Sequence, residues 1–337
     1  MIGTEFLKGQ GLGNQLFCYV SARCIAKDLG YEFGTAGQEQ LGVNIHSKKG
    51  LYFMEPDLGA EIQDPEQYGV YQEKDRRFYQ KTCVHDMMHG CYVAGADEGV
   101  YQIPDHTLLY GNLQAERYFR HHREDIRQWL KVRPEYDSME FHKENLCVIN
   151  IRGGEYRDSR VLFLRRKYWL DAMAEMRKIR EDMEFMTVTD DPAAARWILP
   201  EVKAFHFDLA GDYTAIKNAS YLILSNSSFA FFPAFTSTTV KKIIAPKYWA
   251  RHNCSHGYWA SEQNIYEDFC YLDRQGKLWD AESCRREWEA VRSSIPVSCE
   301  GSPYSESRIR LRAWQDQALY YADKAAGRVR RQFFSGR

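Results

Sequence analysis

Long hydrophobic runs are absent from the sequence. Nowhere do about 18 apolar residues follow one another, which is the length that a transmembrane helix needs. The opening residues, MIGTEFLKGQGLGNQ, also lack the basic segment and apolar core of a secretory signal. We therefore expect a soluble, cytoplasmic protein.

An excess of charge of either sign is absent as well. Lysine and arginine number 45, aspartate and glutamate 46, and the formal net charge is −1. Without a global field to attract nucleic acid, we expect no such partner, and a local site must hold any anionic ligand. With 44% hydrophobic and 27% charged residues the composition is that of a folded protein, and 337 residues suffice for two domains.

Recognisable metal-binding patterns are scarce. The nine cysteines are odd in number and irregularly spaced, which favours free thiols over a disulfide framework. Cys83, His85, His89 and Cys91 form a run that departs from zinc-finger spacings. The acidic residues show neither EF-hand spacing nor a DxD pair. We predict a protein without a metal cofactor.

A strand, a glycine-rich turn and a helix open the chain. The apolar run Ile2 to Leu7 meets GQGLGNQ at Gly9 to Gln15, and apolar residues then recur at helical spacing up to Gly30. Further along, apolar runs alternate with helical stretches such as Tyr168 to Arg180, which predicts a doubly wound parallel sheet. These runs cover residues 146–151, 184–189, 202–207, 221–225 and 240–245.

The pattern predicts an α/β protein in three parts. Residues 1–140 form an N-terminal lobe, residues 145–250 a Rossmann-like lobe, and residues 251–337 a mostly helical extension. The last stretch is basic. It is either a solvated helix that packs Trp314, Leu319 and Tyr320 on the body, or a surface for peripheral contact with the anionic inner face of a membrane.

Two segments at predicted strand ends could carry chemistry, because ligands of doubly wound sheets lie at the carboxyl ends of strands. Arg152 could clamp a pyrophosphate and Glu155 could accept a proton; the alternative is a surface turn with an ion pair. The segment Asn226 to Phe229 is either an ordinary helix cap or an anion site.

The glycine-rich turn also has two interpretations. Gly9, Gly11 and Gly13 let the backbone approach a ligand next to a helix N-terminus, or they serve tight packing. No Gly-Lys-Ser/Thr follows them, so the turn is not a P-loop. The nicotinamide fingerprint is missing too, which argues against a dehydrogenase.

Three segments together resemble glycosyltransferase family 11, the bacterial-type alpha-1,2-fucosyltransferases. GQGLGNQLFCYVSA at Gly9 to Ala22 is similar to the family's GGLGNQ opening. NIRGGEY at Asn150 to Tyr156 is similar to its H-x-R-R-G-D-Y segment. SNSSFAFF at Ser225 to Phe232, followed by APKYW at Ala245 to Trp249, resembles its third motif. Order and spacing agree over roughly residues 3 to 250.

The resemblance implies a GT-B-like architecture, with two facing Rossmann-like lobes, a donor cleft between them and the N-terminal lobe on the acceptor side. It also implies metal-independent, inverting transfer of L-fucose from GDP-β-L-fucose to a glycan hydroxyl, expected at O-2 of a galactoside, in surface polysaccharide or oligosaccharide synthesis. Arg152, Glu155 and Asn14 would be the catalytic residues, with Glu155 as base or as the group that holds the acceptor hydroxyl. The donor-binding residues implied are Gly11, Gly13, Asn14, Arg152, Asp190, Asp191, Asp212, Asn226, Ser227, Ser228 and Phe229.

Three departures keep other hypotheses open. Asn150, Gly153 and Glu155 stand where the family has histidine, a second arginine and aspartate. A transferase using another nucleotide sugar, or a catalytically silent nucleotide- or glycan-binding protein, would fit these changes. The arginines that could replace the lost charge are Arg157, Arg165 and Arg166.

Overall fold

Two parallel sheets form the framework of the chain. The computed structural model describes residues 1–43, 48–74, 77–81, 83–92, 95–255, 257–294 and 301–334, with only the backbone for 91–92 and 323–334. Each sheet belongs to one lobe. The expected α/β fold, built on two sheets of mainly parallel strands, is confirmed.

The first lobe contains a parallel sheet of short strands. Its strands are β1 (Ile2–Glu5), β2 (Phe33–Ala36), β3 (Ala60–Glu61), β4 (Gly69–Gln72) and β7 (Thr107–Tyr110). Between β4 and β7 in the chain, β5 (Arg77–Phe78) and β6 (Cys91–Tyr92) form a separate antiparallel pair. The strands of the parallel sheet lie in the order β3-β2-β1-β7-β4, and all paired neighbours are parallel.

The helices of this lobe begin with the one predicted after the glycine-rich turn. They are α1 (Leu12–Leu29), α2 (Val84–Met88) and α3 (Arg123–Trp129). Helix α1 ends at Gly30, whose φ of 72° is a left-handed conformation that glycine adopts without strain. The strand, turn and helix predicted at the start of the chain are therefore confirmed.

The second lobe contains the sheet that the apolar runs predicted. Its strands are β8 (Leu146–Ile151), β9 (Glu184–Thr189), β10 (Ala204–Phe205), β11 (Tyr221–Leu224), β12 (Lys242–Pro246), β13 (Phe269–Leu272) and β14 (Leu278–Trp279). The order is β10-β9-β8-β11-β12-β13-β14, and only the β13–β14 pair of this sheet is antiparallel. The chain runs outward from β8 to β10 and then returns to β11, so a ligand crevice is expected between β8 and β11.

Helices cover both faces of this second sheet. They are α4 (Arg166–Arg177), α5 (Pro192–Ile198), α6 (Leu209–Lys217), α7 (Phe231–Thr236) and α8 (Ala281–Arg292). All six residues of β8 are buried, which is why its sequence reads as a continuous apolar run rather than an alternating one.

The sheet continues beyond the predicted end of the second lobe at residue 250. Strand β13 pairs in parallel with β12, and β14 closes the edge. Residues up to about the start of α8 therefore belong to this lobe by hydrogen bonding, and the helical extension is shorter than predicted. The strands escaped prediction because they are short and one of them lies at the sheet edge.

The two lobes share an aromatic core where α1 meets α7. The ring of Phe17 lies 4.8 Å from those of both Phe231 and Phe232, and Phe119 lies 5.5 Å from Phe235 in an edge-to-face contact. All five rings are buried. This shared core fixes the N-terminus of α1 against the second lobe.

A long helix, α9 (Glu306–Phe334), follows α8. The main-chain N–H of Val84 in α2 donates to Asp316 at 2.7 Å, and the Tyr320 hydroxyl donates to Asp158 at 2.9 Å. Trp314 is 80% exposed and Leu319 42%, so the interpretation that these two side chains pack on the body is wrong. Within the described ranges, no helix has the length and apolar character to cross a bilayer.

Candidate functional site

A cleft of about 210 Å³ lies at the carboxyl ends of β8 to β11, where the N-terminus of α1 meets the second lobe. Its position is the crevice expected from the strand order. The lining residues are Gly11, Leu12, Gly13, Asn14, Asn150, Ile151, Arg152, Glu155, Tyr156, Thr189, Asp190, His206, Leu209, Asp212, Ser227, Ser228 and Phe229.

Arg152 leaves the end of β8 between two carboxylates. Its Nη1 lies 2.6 Å from Asp190 Oδ2, and its Nη2 lies 2.7 and 2.8 Å from the two oxygens of Glu155. Asp190 is largely buried at the end of β9 and also accepts from the Gly153 N–H at 2.7 Å. Glu155 is 55% exposed, so the Arg152–Glu155 pair is the one that a ligand can separate at low cost.

The N-terminus of α1 lies directly against the turn that precedes α7. A Cβ placed on Gly13 would come within 2.4 to 2.5 Å of the Ser228 carbonyl group and the Phe229 nitrogen, so only glycine permits this approach. Helix α1 has no side-chain cap at Gly11, which leaves its first N–H groups for another partner. An anion in the cleft would meet these groups and the positive end of the helix dipole.

Asp212 lies in the same cleft, at the start of α6. Its two oxygens accept from the Phe207 N–H at 2.9 Å and face His206 Nδ1 at 2.8 Å. Burial raises the pKa of Asp212 to about 6, although both hydrogen bonds lower it. The carboxyl therefore changes its charge near neutral pH.

Two of the predicted donor-binding residues lie outside this lining. Asp191 caps α5 by accepting from the Ala194 N–H at 3.0 Å, and it pairs with Arg157 at 3.1 Å. Asn226 donates to the Leu162 carbonyl at 3.1 Å and faces a neighbouring cavity. The other predicted residues lie together in the cleft, and their roles stay predictions.

His206 and Leu209 line the cleft and were not predicted. His206 follows the short strand β10, so the strand-end rule that selected Arg152 would have found it. The apolar run predicts a strand over 202–207, whereas β10 covers only Ala204–Phe205, so His206 falls inside the predicted strand and not after it.

The three arginines that could replace the lost charge point to different places. Arg157 pairs with Asp191, and Arg166 pairs with Glu201 at 2.9 Å, both outside the cleft. Arg165 lines the neighbouring cavity, which has a volume of about 730 Å³. Among these three, Arg165 is the one that faces space for a ligand.

Two side chains of the cysteine and histidine run, Cys83 and His85, contact an arginine. Arg251 places its guanidinium 3.6 Å from Cys83 Sγ and 3.5 Å from His85 Nδ1. Burial, with a further contribution from Arg251, lowers the pKa of His85. A cation already lies between these two side chains, which disfavours a metal ion there. The side chain of Cys91 lies outside the described part.

A different group could hold a metal ion. The ligand atoms of Asp28, His121 and His122 lie within 4.8 Å of one another. Asp28 is at the opposite end of α1 from the cleft, about 24 Å away by the helical rise. A metal ion bound there would not contact a ligand in the cleft.

No protein-family model matches the chain, and no curated protein matches it significantly. Among solved structures it is similar to NodZ alpha-1,6-fucosyltransferase soaked with GDP-fucose, at 12% identity over 83% of this chain and 98% of that chain, with a TM-score of 0.43. It is also similar to fucosyltransferase NodZ from Bradyrhizobium, at 12% identity over 72% of this chain and 94% of that chain, with a TM-score of 0.43. It is similar as well to POFUT1 in complex with GDP, at 11% identity over 72% of this chain and 97% of that chain, with a TM-score of 0.41. At these TM-scores the likeness is weak.

Proposed function

We propose that the chain is an inverting glycosyltransferase of the family 11 type, which moves L-fucose from GDP-β-L-fucose to a glycan hydroxyl, at O-2 of a galactoside. The observation that carries this proposal is the convergence of all three family-like segments on one cleft. Gly11 to Asn14, Asn150 to Tyr156 and Ser227 to Phe229 all contribute to its lining, although they are far apart in sequence. Packing alone does not require the polar members of these segments to face the same space.

The donor diphosphate is assigned to the junction of α1 with the turn before α7. There the first N–H groups of α1, which no side chain caps among the described residues, meet the guanidinium of Arg152. Asp212 is the cleft carboxylate without an arginine or lysine partner among the described residues, so it is assigned to the N1–H and N2–H₂ edge of guanine. Asp190 fixes Arg152 and lies beside the ribose in this arrangement.

Donor binding prepares the base in the proposed reaction. The diphosphate competes with Glu155 for Arg152, and the released carboxylate can then accept the proton of the acceptor hydroxyl. The acceptor oxygen bonds to C1 of the sugar while the bond from C1 to the diphosphate oxygen breaks, so GDP leaves and the configuration inverts. Arg152 and the helix N–H groups stabilise the charge that grows on GDP. Asn14, at the junction of the two cavities, positions the acceptor.

A catalytically silent binding protein is the second hypothesis, and the charges in the cleft favour it. One arginine faces three carboxylates, of Glu155, Asp190 and Asp212. A diphosphate gains less there than at a site with two arginines. A transferase with another nucleotide sugar is the third hypothesis.

Calorimetric titration separates these hypotheses. The protein is titrated in EDTA with GDP, GDP-fucose, GDP-mannose and UDP, and release of free sugar is followed in the same samples. We expect GDP and GDP-fucose to bind without metal, UDP not to bind, and fucose to be released slowly. Turnover of GDP-mannose instead would favour another donor, and binding without turnover would favour the silent protein. No binding of any guanosine diphosphate would refute the proposal.

GDP affinity should increase as the pH rises through about 6. The ionised Asp212 carboxylate accepts hydrogen bonds from guanine, and the protonated form, which dominates below its pKa of about 6, loses an acceptor. At pH 5 the ionised fraction is about one in ten, so GDP should bind roughly tenfold more weakly than at pH 7.5. Calorimetry between pH 5 and 8 measures this change. Asp212→Asn should bind weakly with a shallower profile, because only the terminal phosphate of GDP then titrates in this range; the same slope in both proteins would refute the guanine assignment.

We also propose peripheral membrane contact through α9. Its outer face exposes Leu311, Trp314 and Tyr321, next to the exposed Arg308 and Arg310. Apolar and aromatic side chains beside basic ones suit the interface of an anionic bilayer. Co-sedimentation with phosphatidylglycerol vesicles should therefore decrease several-fold in Trp314→Ala. The matched control is Trp197→Ala, which removes a half-exposed tryptophan from the second lobe; an equal loss in both variants would contradict the proposal.

A further inference from the structure

The cavity of about 730 Å³ opens onto the cleft at Asn14, Tyr156 and Ser228, which line both spaces. Its volume suits a ligand larger than a monosaccharide. The inference made here rests on the proposed function. If the nucleotide occupies the cleft and the donor sugar reaches the junction, the larger cavity receives the acceptor.

The side of the cavity near the junction is lined by amides. Gln114 Nε2 donates to Asn14 Oδ1 at 3.3 Å, and Asn264 Nδ2 donates to Gln114 Oε1 at 3.0 Å. Asn112 lies beside them. Each amide offers both a donor and an acceptor, which matches the hydroxyl groups of a sugar.

The remainder of the lining has an excess of positive charge. Five arginines face the cavity, against two aspartates. Two of these arginines are neutralised locally, because Arg251 pairs with the buried Asp86 and Arg312 pairs with Asp316 at 2.9 Å. Arg312 and Asp316 belong to α9, so this wall comes from the part of the chain outside the family resemblance.

Two other arginines have no carboxylate partner among the described residues. Arg274 donates to the backbone carbonyls of Asn253 and Ser255. Arg165, exposed at the start of α4, forms no ion pair within the described ranges. Both lie near the buried His252: burial, together with the positive charges of Arg274 and Arg165, lowers the pKa of that histidine to about 4. The cavity therefore holds two uncompensated guanidinium groups close to one neutral histidine.

We propose that the acceptor is an acidic glycan, whose carboxylate, sulfate or phosphate group binds to Arg165 and Arg274 while its hydroxyls bind the amides near the junction. A guanidinium pairs with each of these anions through two parallel hydrogen bonds. A neutral glycan would leave both guanidinium groups without an anionic partner.

A glycan array tests the proposal directly. The full-length protein, fluorescently labelled and saturated with GDP, is applied to neutral galactosides and to matched glycans that carry a uronic acid, a sialic acid, a sulfate ester or a phosphate ester. We expect acidic members to retain at least about tenfold more protein than their neutral counterparts, as one charge-assisted hydrogen bond would give. Comparison of the glycans that carry a carboxylate with those that carry a sulfate or phosphate ester then identifies which anionic group the protein binds.

Variants of adjacent arginines supply the control. Arg165→Ala and the charge reversal Arg165→Glu should lower the preference for acidic glycans to near parity. Arg166→Ala, which removes the neighbouring arginine that pairs with Glu201 outside the cavity, should leave it unchanged. Equal binding of neutral and acidic glycans, binding of no acidic glycan, or an unchanged preference in both Arg165 variants would overturn the proposal. GDP binding is measured by titration of the same samples and does not depend on the acceptor. Absence of GDP binding would therefore refute the proposed function, and not only the proposal of an acidic acceptor.

Discussion

Replacing Arg152 by alanine should lower the turnover of GDP-fucose by about 10²- to 10³-fold, the usual loss when one preorganised donor to a developing negative charge is removed. The effect has two sources here. The leaving diphosphate loses its guanidinium, and the carboxylates of Asp190 and Glu155, which Arg152 now neutralises, face the diphosphate without a cation between them. The measurement is release of GDP from GDP-fucose at saturating donor, together with the Kd for GDP.

Two further variants make this result specific. Arg152→Lys keeps the charge but not the planar fork, so its turnover should lie between those of the wild type and the alanine variant. Arg157→Ala removes an arginine of the same loop that pairs with Asp191 outside the cleft, and it should retain nearly full turnover. Melting temperatures of all variants exclude unfolding as the cause. An alanine variant with turnover within a few-fold of the wild type would show that Arg152 does not bind the diphosphate.

The central strands could be predicted from the sequence almost to the residue. Strands β8 and β9 cover the apolar runs 146–151 and 184–189 because parallel strands buried on both faces read as continuous hydrophobic segments. Their carboxyl ends then identify Arg152 and Asp190 without further information. Helix α1 was equally predictable, since it lies between a glycine-rich turn and the left-handed Gly30.

Other parts of the fold depend on contacts that local sequence does not encode. The apolar positions of residues 112–132 suit one amphipathic helix, yet only Arg123–Trp129 is α-helical. Leu113 has a φ of 49°, and short 3-10 turns carry Tyr118 and Phe119 into the core. Tertiary packing therefore overrides the helical periodicity there. The same applies to β13, which is specified by its pairing with β12 rather than by a long apolar run.

The direction of individual side chains was the least predictable part of the candidate site. Arg165 and Arg166 are adjacent, but the first lines the large cavity and the second pairs with Glu201. The face that α9 presents to the body is fixed by hydrogen bonds to Val84 and Asp158, which lie far away in sequence. Its periodicity alone does not distinguish that face from the one bearing Trp314.

Gly13→Ala should abolish GDP binding and destabilise the protein. The added Cβ would lie 2.4 Å from the Ser228 carbonyl carbon and 2.5 Å from the Phe229 nitrogen. These are backbone atoms, so the clash is relieved only if α1 and the turn before α7 move apart. That movement separates the N–H groups assigned to the diphosphate. Overpacking of this kind costs about 1–3 kcal/mol or more, and it should lower both the urea midpoint and the affinity for GDP.

Gly11→Ala is the matched control, because it adds the same methyl group two residues earlier, at the N-cap of α1. Nothing lies within 4 Å of the position of its Cβ, and its φ of −66° suits alanine. The free energy of unfolding should therefore change by no more than about 0.5 kcal/mol. If both variants unfolded at the same urea concentration, the close approach of α1 to Ser228 would not be the reason for glycine at position 13. If Gly13→Ala lost stability but bound GDP as tightly as the wild type, the diphosphate would lie away from this junction, and the arginines of the larger cavity would become its expected partners.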